Sequence, residues 1–208
     1  LYETTFDVAL LERALALDAV LTRHFWDDTH SGYFFTADDA EALLVRQKEF
    51  YDGAVPSGNS VAMQNLLRLG RLTGDATFET RALQVGRAAG DVVRRMPSGF
   101  TALLSALDFG VGPTTEVVIA GDPAAADTRA LIDVVRRRYD PSRVVLLRPS
   151  DEAEAGRVGQ GPQAGDTHYR GPGGPGGAEI GPGTDFRDRL SAGLVWVPAE
   201  PACARRDR

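Results

Sequence analysis

The chain has 208 residues, 43% hydrophobic and 25% charged, with a formal net charge of −6. That is enough for one large globular domain or two small ones, and the composition excludes a disordered or fibrous chain. The acidic balance argues against general nucleic-acid binding, and no apolar run approaches the length of a membrane-spanning helix.

Residues 5–23 read as a helix, with Leu10, Ala14, Leu17 and Leu21 at spacings of four, three and four as its buried face and Thr4 or Thr5 as its cap. From His24 to Thr36 the pattern changes. Phe25-Trp26-Asp27-Asp28 leads through Thr29-His30-Ser31-Gly32 into Tyr33-Phe34-Phe35, which predicts a short hairpin or extended loop. Its rings serve either as an aromatic plug over a helix end or as the wall of a cleft. Leu43-Leu44-Val45 is a short apolar run of extended character.

Arg46 to Ser60 concentrates charge, aromatic rings, turn residues and hydroxyls. Pro56 and Gly58 mark a turn, and Ser57, Asn59 or Ser60 can cap the helix predicted over 60–73. Val61, Ala62, Met63, Leu66, Leu67, Leu69 and Leu72 give that helix a broad apolar surface, so burial on several sides is expected. Gly74 suits the left-handed residue past its end and Asp75 the next N-cap. Residues 76–94 carry Phe78, Ala82, Val85, Ala89 and Val92 on one face, and Pro97-Ser98-Gly99 turns the chain into a further apolar helix over 100–109. Helices joined by tight turns, broad-faced alternating with amphipathic, describe stacked antiparallel hairpins.

At Gly112-Pro113 the pattern changes again. Glu116 to Ala120 is a β run, Asp122 and Pro123 fit the start of a helix over 123–138 facing inward through Leu131, Val134 and Val135, and Val144 to Leu147 is a second β run. The three form a βαβ unit with parallel strands. Gly121 after the first strand invites a phosphate-loop reading, but the full glycine pattern is missing and Pro123 removes an amide donor. Residues 150–185 are rich in glycine and proline and read as a flexible segment, with a short tail at 186–208 in which Leu194 to Val197 is a candidate strand. The sole cysteine, Cys203, has no intrachain partner, which fits a reducing, cytoplasmic setting. The chain opens on Leu1 without a signal-like segment and reads as a piece of something longer.

Several phrases carry a family resemblance: Asp39-Ala40-Glu41, Leu44-Val45-Arg46 with Lys48-Glu49, Tyr51-Asp52-Gly53-Ala54-Val55-Pro56-Ser57-Gly58-Asn59-Ser60, Ala106-Leu107-Asp108-Phe109 with Gly112-Pro113, the run from Glu116 to Pro123, and Val144 to Arg148. Over residues 5–148 the chain resembles the thioredoxin-domain-containing, spermatogenesis-associated (YyaL-like) family. The resemblance implies a mainly α fold: antiparallel helical hairpins of a partial α/α toroid, similar to six-hairpin glycosidases and sugar epimerases, over 1–112, with an appended βαβ unit over 113–149. It also implies an N-terminal thioredoxin-like domain as partner. The Cys-x-x-Cys of that domain is not in this chain, so no redox role and no cofactor are carried over.

In such a toroid the loop before an inner helix faces the cleft, which makes Asp52 the first carboxylate candidate for catalysis and Glu49 the second. Arg46, Lys48, Tyr51, Ser57, Asn59, Trp26 and Tyr33 are then candidate ligand contacts, with a sugar as the expected ligand. Glycoside chemistry requires two flanking carboxylates, and epimerisation requires groups that move a proton, yet none of His24, His30 and His168 lies in this stretch. The alternative is structural: Asp52 bracing the turn, Ser57 and Asn59 bonding the backbone, and Arg46 or Lys48 pairing with Glu49, in a non-catalytic scaffold. No His, Cys and carboxylate set shows metal-ligand spacing.

Overall fold

In the computed structural model, which describes residues 1–148, the chain begins with a one-turn helix, α1 (Tyr2–Thr5), followed by α2 (Val8–Phe25). The segments 150–185 and 186–208, with the candidate strand Leu194 to Val197, lie outside the described residues. The cap of α2 differs from expectation. Asp7, not Thr4 or Thr5, accepts from the Ala9 N–H at 3.0 Å, while the Thr5 hydroxyl accepts from the Asp7 N–H. Phe6, at φ 58°, breaks the chain between the two helices. The buried stripe of α2 also differs, running through Val8, Leu11 and Asp18, and leaves Leu17 66% exposed. Successive residues are about 100° apart around a helix, so a stripe that contains Leu11 and Asp18 turns Leu17 toward solvent.

The centre of the molecule is α3 (Gly58–Thr73). Ser57 caps it, Gly74 ends it in the left-handed conformation, and Asp75 starts α4 (Ala76–Arg95) by accepting from the Thr77 N–H at 2.8 Å. Because the apolar surface of α3 is broad, it is covered on more than one side, packing against α4 and against α5 (Thr101–Val111). Met63, Leu66 and Leu67 of α3 meet Ala82, Val85 and Ala89 of α4 and Leu103, Ala106 and Phe109 of α5 in one core. Val92, expected on the buried face of α4, is 42% exposed, while its neighbour Val93, four residues after Ala89, packs against this core. Leu43, Leu44 and Val45 form no strand and lie exposed in the long loop between α2 and α3.

The last described portion is β1 (Thr115–Ala120), α6 (Ala126–Arg136) and β2 (Arg143–Arg148), with the strands parallel from Thr115 opposite Arg143 to Ala120 opposite Arg148. Side chains alternate across a strand. Val144 and Leu146 therefore enter the helical core, while Val145 and Leu147 join Ile119 and Ile132 on the other face. Burial on both faces explains the unbroken apolar run of β2. Asp122 and Pro123 do not start the helix. Asp122 closes a turn, accepting from Ala124 at 2.7 Å through its side chain and from Ala125 through its carbonyl, and α6 begins at Ala126. Such local side-chain bonds compete with helix formation. The inner face of α6 is Thr128 and Ile132, leaving Leu131 and Val134 exposed. Among the described residues no helix is long and apolar enough to cross a membrane.

The fully buried Leu66 and the exposed Leu17 give a contrast within one experiment. Leu66→Ala is expected to cost about 2–5 kcal/mol of unfolding free energy, and Leu17→Ala no more than about 0.5 kcal/mol, both read by denaturant titration.

Candidate functional site

The hairpin after α2 is a single antiparallel bridge between Trp26 and Tyr33, whose rings meet edge-on at 5.0 Å. Asp27 organises its turn, accepting from the Thr29 and His30 N–H groups at 2.9 and 3.1 Å. Lys48 reaches across to donate to the Asp27 carboxylate at 2.5 Å and to the Ser31 carbonyl at 3.0 Å. That hydrogen bond holds the Asp27 pKa at about 2, with burial opposing and the two amides assisting. Gly32 has φ 83°, and a Cβ there would stand 2.9 Å from the Phe50 ring, so the loop packs directly on this backbone.

Asn59, in the first turn of α3, joins hairpin and loop as a peptide group would. Its Oδ1 accepts from the Tyr33 N–H at 2.7 Å, and its Nδ2 donates to the Tyr33 and Glu49 carbonyls at 2.9 and 2.8 Å. The Ser57 hydroxyl accepts from the Ser60 N–H at 3.2 Å, donates to the Phe50 carbonyl at 3.1 Å and lies 2.8 Å from the Ser60 hydroxyl.

Asp52 reaches furthest. Its Oδ1 accepts from the Ser57 N–H at 2.8 Å, and its Oδ2 accepts from the Ala102 and Leu103 N–H groups at 2.9 and 3.1 Å. The N-cap residue of α5, Phe100, supplies no side-chain acceptor, so a carboxylate fifty residues upstream in sequence caps that helix. Burial pushes the Asp52 carboxyl up. Hydrogen bonds from Ser57, the Ser60 hydroxyl, Leu103 and Ala102 outweigh it and hold the pKa below the ordinary carboxylate value.

The fold therefore gathers Asp52, Ser57 and Asn59 into one buried hydrogen-bonded cluster and ties Lys48 to the hairpin. Arg46 donates to the Thr36 and His24 carbonyls and lies 4.2 Å from the centre of the Phe34 ring. The expected pairing of Arg46 or Lys48 with Glu49 does not form, because both cations are drawn toward the hairpin; the Glu49 side chain is exposed. Tyr51 is 51% exposed and packs edge-on against Phe100, and Trp26 is half-buried.

Two groupings escaped the sequence reading. Asp18 is buried on α2, with the Arg81 guanidinium at 3.7 Å. The buried hydroxyls of Thr22 and Tyr33 lie nearby, next to each other and to Arg81. Burial raises the Asp18 pKa more than Arg81 lowers it. The signal was present, since Asp18 lies seven residues after Leu11 on the same helical stripe. His24, Asp38 and Asp39 place their ligand atoms within 4.8 Å of one another. The Asp38 N–H also donates to the His24 carbonyl, and its carboxylate lies 2.8 Å from His24 Nδ1, so the cluster clamps the long loop to the end of α2. A separation of fourteen residues hides this contact from any spacing rule.

Asp52 and Asp18 are expected to respond oppositely to removal of charge. Asp52→Asn turns an amide NH₂ toward backbone donors, leaves at least one unsatisfied, and costs about 1–3 kcal/mol at neutral pH. The Asp52 contribution is present above the unfolded pKa of about 3.9 and is lost as pH falls through the lowered folded value. For Asp18 the folded value is raised, so its contribution is fully present below the unfolded value of about 3.9 and is lost as pH rises through the folded value. Asp18→Asn should raise the melting temperature at pH 7 and lose that advantage below about pH 4. Melting curves of both variants from pH 3 to pH 8 check the two signs.

No family model matches the chain. Spermatogenesis-associated protein 20 of Rattus norvegicus is 37% identical to it over 152 residues, and the Homo sapiens protein of that name 36% over 152 residues, each match covering 73% of this chain. An uncharacterized protein of Caenorhabditis elegans, B0495.5, is 31% identical over 137 residues, 64% of this chain. The matches cover 19%, 19% and 18% of these relatives, so the chain spans about a fifth of their length. Over the stretch it shares with them, the chain is homologous to spermatogenesis-associated protein 20.

Proposed function

We propose that this chain is a non-catalytic helical module, part of an α/α toroid, that serves as a scaffold for the rest of a longer protein, including its thioredoxin-like domain. The observation that carries this reading is the engagement of Asp52 by three backbone amides. A general acid or base has to reach a reacting atom with a pKa near the working pH, whereas amide donors surround this carboxylate and lower its basicity. Ser57 and Asn59 are engaged with backbone in the same way. Meanwhile Phe35, Leu44 and Val45 on the long loop are 76%, 107% and 69% exposed, and Leu17 and Val20 on α2 are 66% and 53% exposed. A partner gains by covering such side chains, and the matched relatives, of which the shared stretch is 19%, supply chain to do it.

A second reading, a carbohydrate cleft related to epimerases or glycosidases, is favoured by the exposure of Glu49 and, two residues on, of the Tyr51 ring. It needs a second carboxylate across the bond to be cleaved, which the rest of a toroid would have to contribute.

Sedimentation of the chain with a separately produced thioredoxin-like domain from a longer relative tests the scaffold. A complex is expected, weakened about tenfold or more by Leu44→Asp combined with Phe35→Asp, while hexoses and disaccharides leave the melting temperature unchanged. A sugar-dependent rise in melting temperature that Tyr51→Ala or Glu49→Gln removes would overturn the scaffold in favour of the cleft. Absence of both complex and sugar response would overturn both readings.

A further inference from the structure

A cavity of about 270 Å³ opens between α1, α3, α6 and β2. It is separate from the Asp52 cluster: Arg68, on its wall, lies eleven residues along α3 from Ser57, roughly 16 Å at the rise of a helix. Its apolar floor is Phe6, Ile132, Val135 and Val145. Its charged lining is Arg68, Arg136, Arg138 and Arg143 against Glu3 and Asp140, four cations to two carboxylates in a chain of net charge −6.

Two of the guanidinium groups, those of Arg143 and Arg136, are held in place by partners that do not neutralise them. Arg143 donates to the Val135 and Arg138 carbonyls at the end of α6, both at 2.7 Å, and Arg136 donates to the Thr4 carbonyl. Carbonyls orient these groups but carry no net charge. Of the four, Arg68 alone is paired with a carboxylate among the described residues, Glu3 at 2.6 Å. Asp140 accepts from the Ser142 N–H at 3.1 Å. The floor carries a second observation. Phe6 is a non-glycine residue in the left-handed region, at φ 58°, a conformation that persists only where its surroundings enforce it. There its ring stands edge-on to Tyr2 and 5.6 Å from the Arg136 guanidinium, touching both apolar clusters.

We propose that this cleft binds a small organic oxyanion, a phosphate monoester or carboxylate, with the charged group among the arginines and the organic body against Phe6, Ile132, Val135 and Val145. Planar guanidinium groups match the paired oxygens of such anions. The volume falls below the ~300 Å³ at which sites for drug-sized ligands begin, so the ligand is of the size of one ring with its charged substituent.

Calorimetric titration of the 208-residue chain with phenyl phosphate, benzoate, inorganic phosphate and phenol tests this. Saturable binding of phenyl phosphate or benzoate is expected, weakened by added salt; whichever of the two binds more tightly identifies the anion. Inorganic phosphate should bind more weakly for want of the apolar body, and phenol should not bind. Arg138 is exposed and Tyr139 is 88% exposed, so Arg138→Gln and Tyr139→Ala fold normally. Arg138→Gln should weaken the anion about tenfold, the effect of one charge-assisted hydrogen bond. Phenol binding as well as the anions, no saturable binding by either organic anion, or an affinity unchanged in Arg138→Gln with a normal melting curve would each overturn the proposal.

Discussion

One carboxylate sets the geometry of the helical body. Asp52 accepts from the backbone at the start of α3 and, through its other oxygen, from the first turn of α5. Each helix start exposes amides with no partner inside its own helix, and here a single side chain serves two of them. The two helices must therefore begin side by side, which aligns Met63, Leu66 and Leu67 with Leu103, Ala106 and Phe109 in the shared core. The signature from Tyr51 to Ser60 is in this sense a folding device. Asp52 fixes the relative start of two helices, Ser57 the first turn of one, and Asn59 the hairpin beside it.

What could be read from the chain divides along the range of the interaction. Capping and periodicity are local. Ser57, Gly74 and Asp75 do what their positions in the sequence suggest, the broad apolar surface of α3 is covered except at Val61, which is 46% exposed, and the parallel strands form where the β runs lie. The misjudged points are those decided by distant groups or by close competitors. Asp7 supplanted Thr5 as cap within two residues, and Asp122 chose a turn over a helix start. Leu17 was assigned to the wrong face because the phase of α2 is fixed by its packing partners, not by its own spacing. In the signature, residue identity was informative while role was not. Nothing near Asp52 in sequence announces that its partners are Ala102 and Leu103.

A second tie, made by Glu3, connects the βαβ unit to the helical body. Its Oε2 pairs with Arg68 of α3, and its Oε1 accepts from the Val145 N–H of β2, 142 residues away. That amide points away from β1, so the carboxylate occupies a hydrogen-bonding position where another strand would otherwise pair. The short α1 thus blocks part of the outer edge of β2 and anchors the start of the chain. The strain at Phe6 follows from the same arrangement. For α1 to lie against β2 while α2 runs along the helical body, the chain must turn sharply in the single residue separating Thr5 from the Asp7 cap.

The three buried aspartates show how little residue type decides. Asp52 is surrounded by oriented amides, Asp27 by a lysine and two amides, and Asp18 by a guanidinium at 3.7 Å with no amide donor of its own. Donors stabilise the charged form in the first two and lower both pKa values, whereas desolvation prevails in the third. Asp18 lies in the interior of α2 rather than at a helix start, so dipoles of the kind that support Asp52 are out of reach. An acid raised by burial beside a cation is placed at some cost to stability, and it lies on α2, the helix that leaves Leu17 and Val20 uncovered. Arg81, the cation facing Asp18, also lies over the Trp26 ring. The buried acid and the hairpin thereby meet at one side chain.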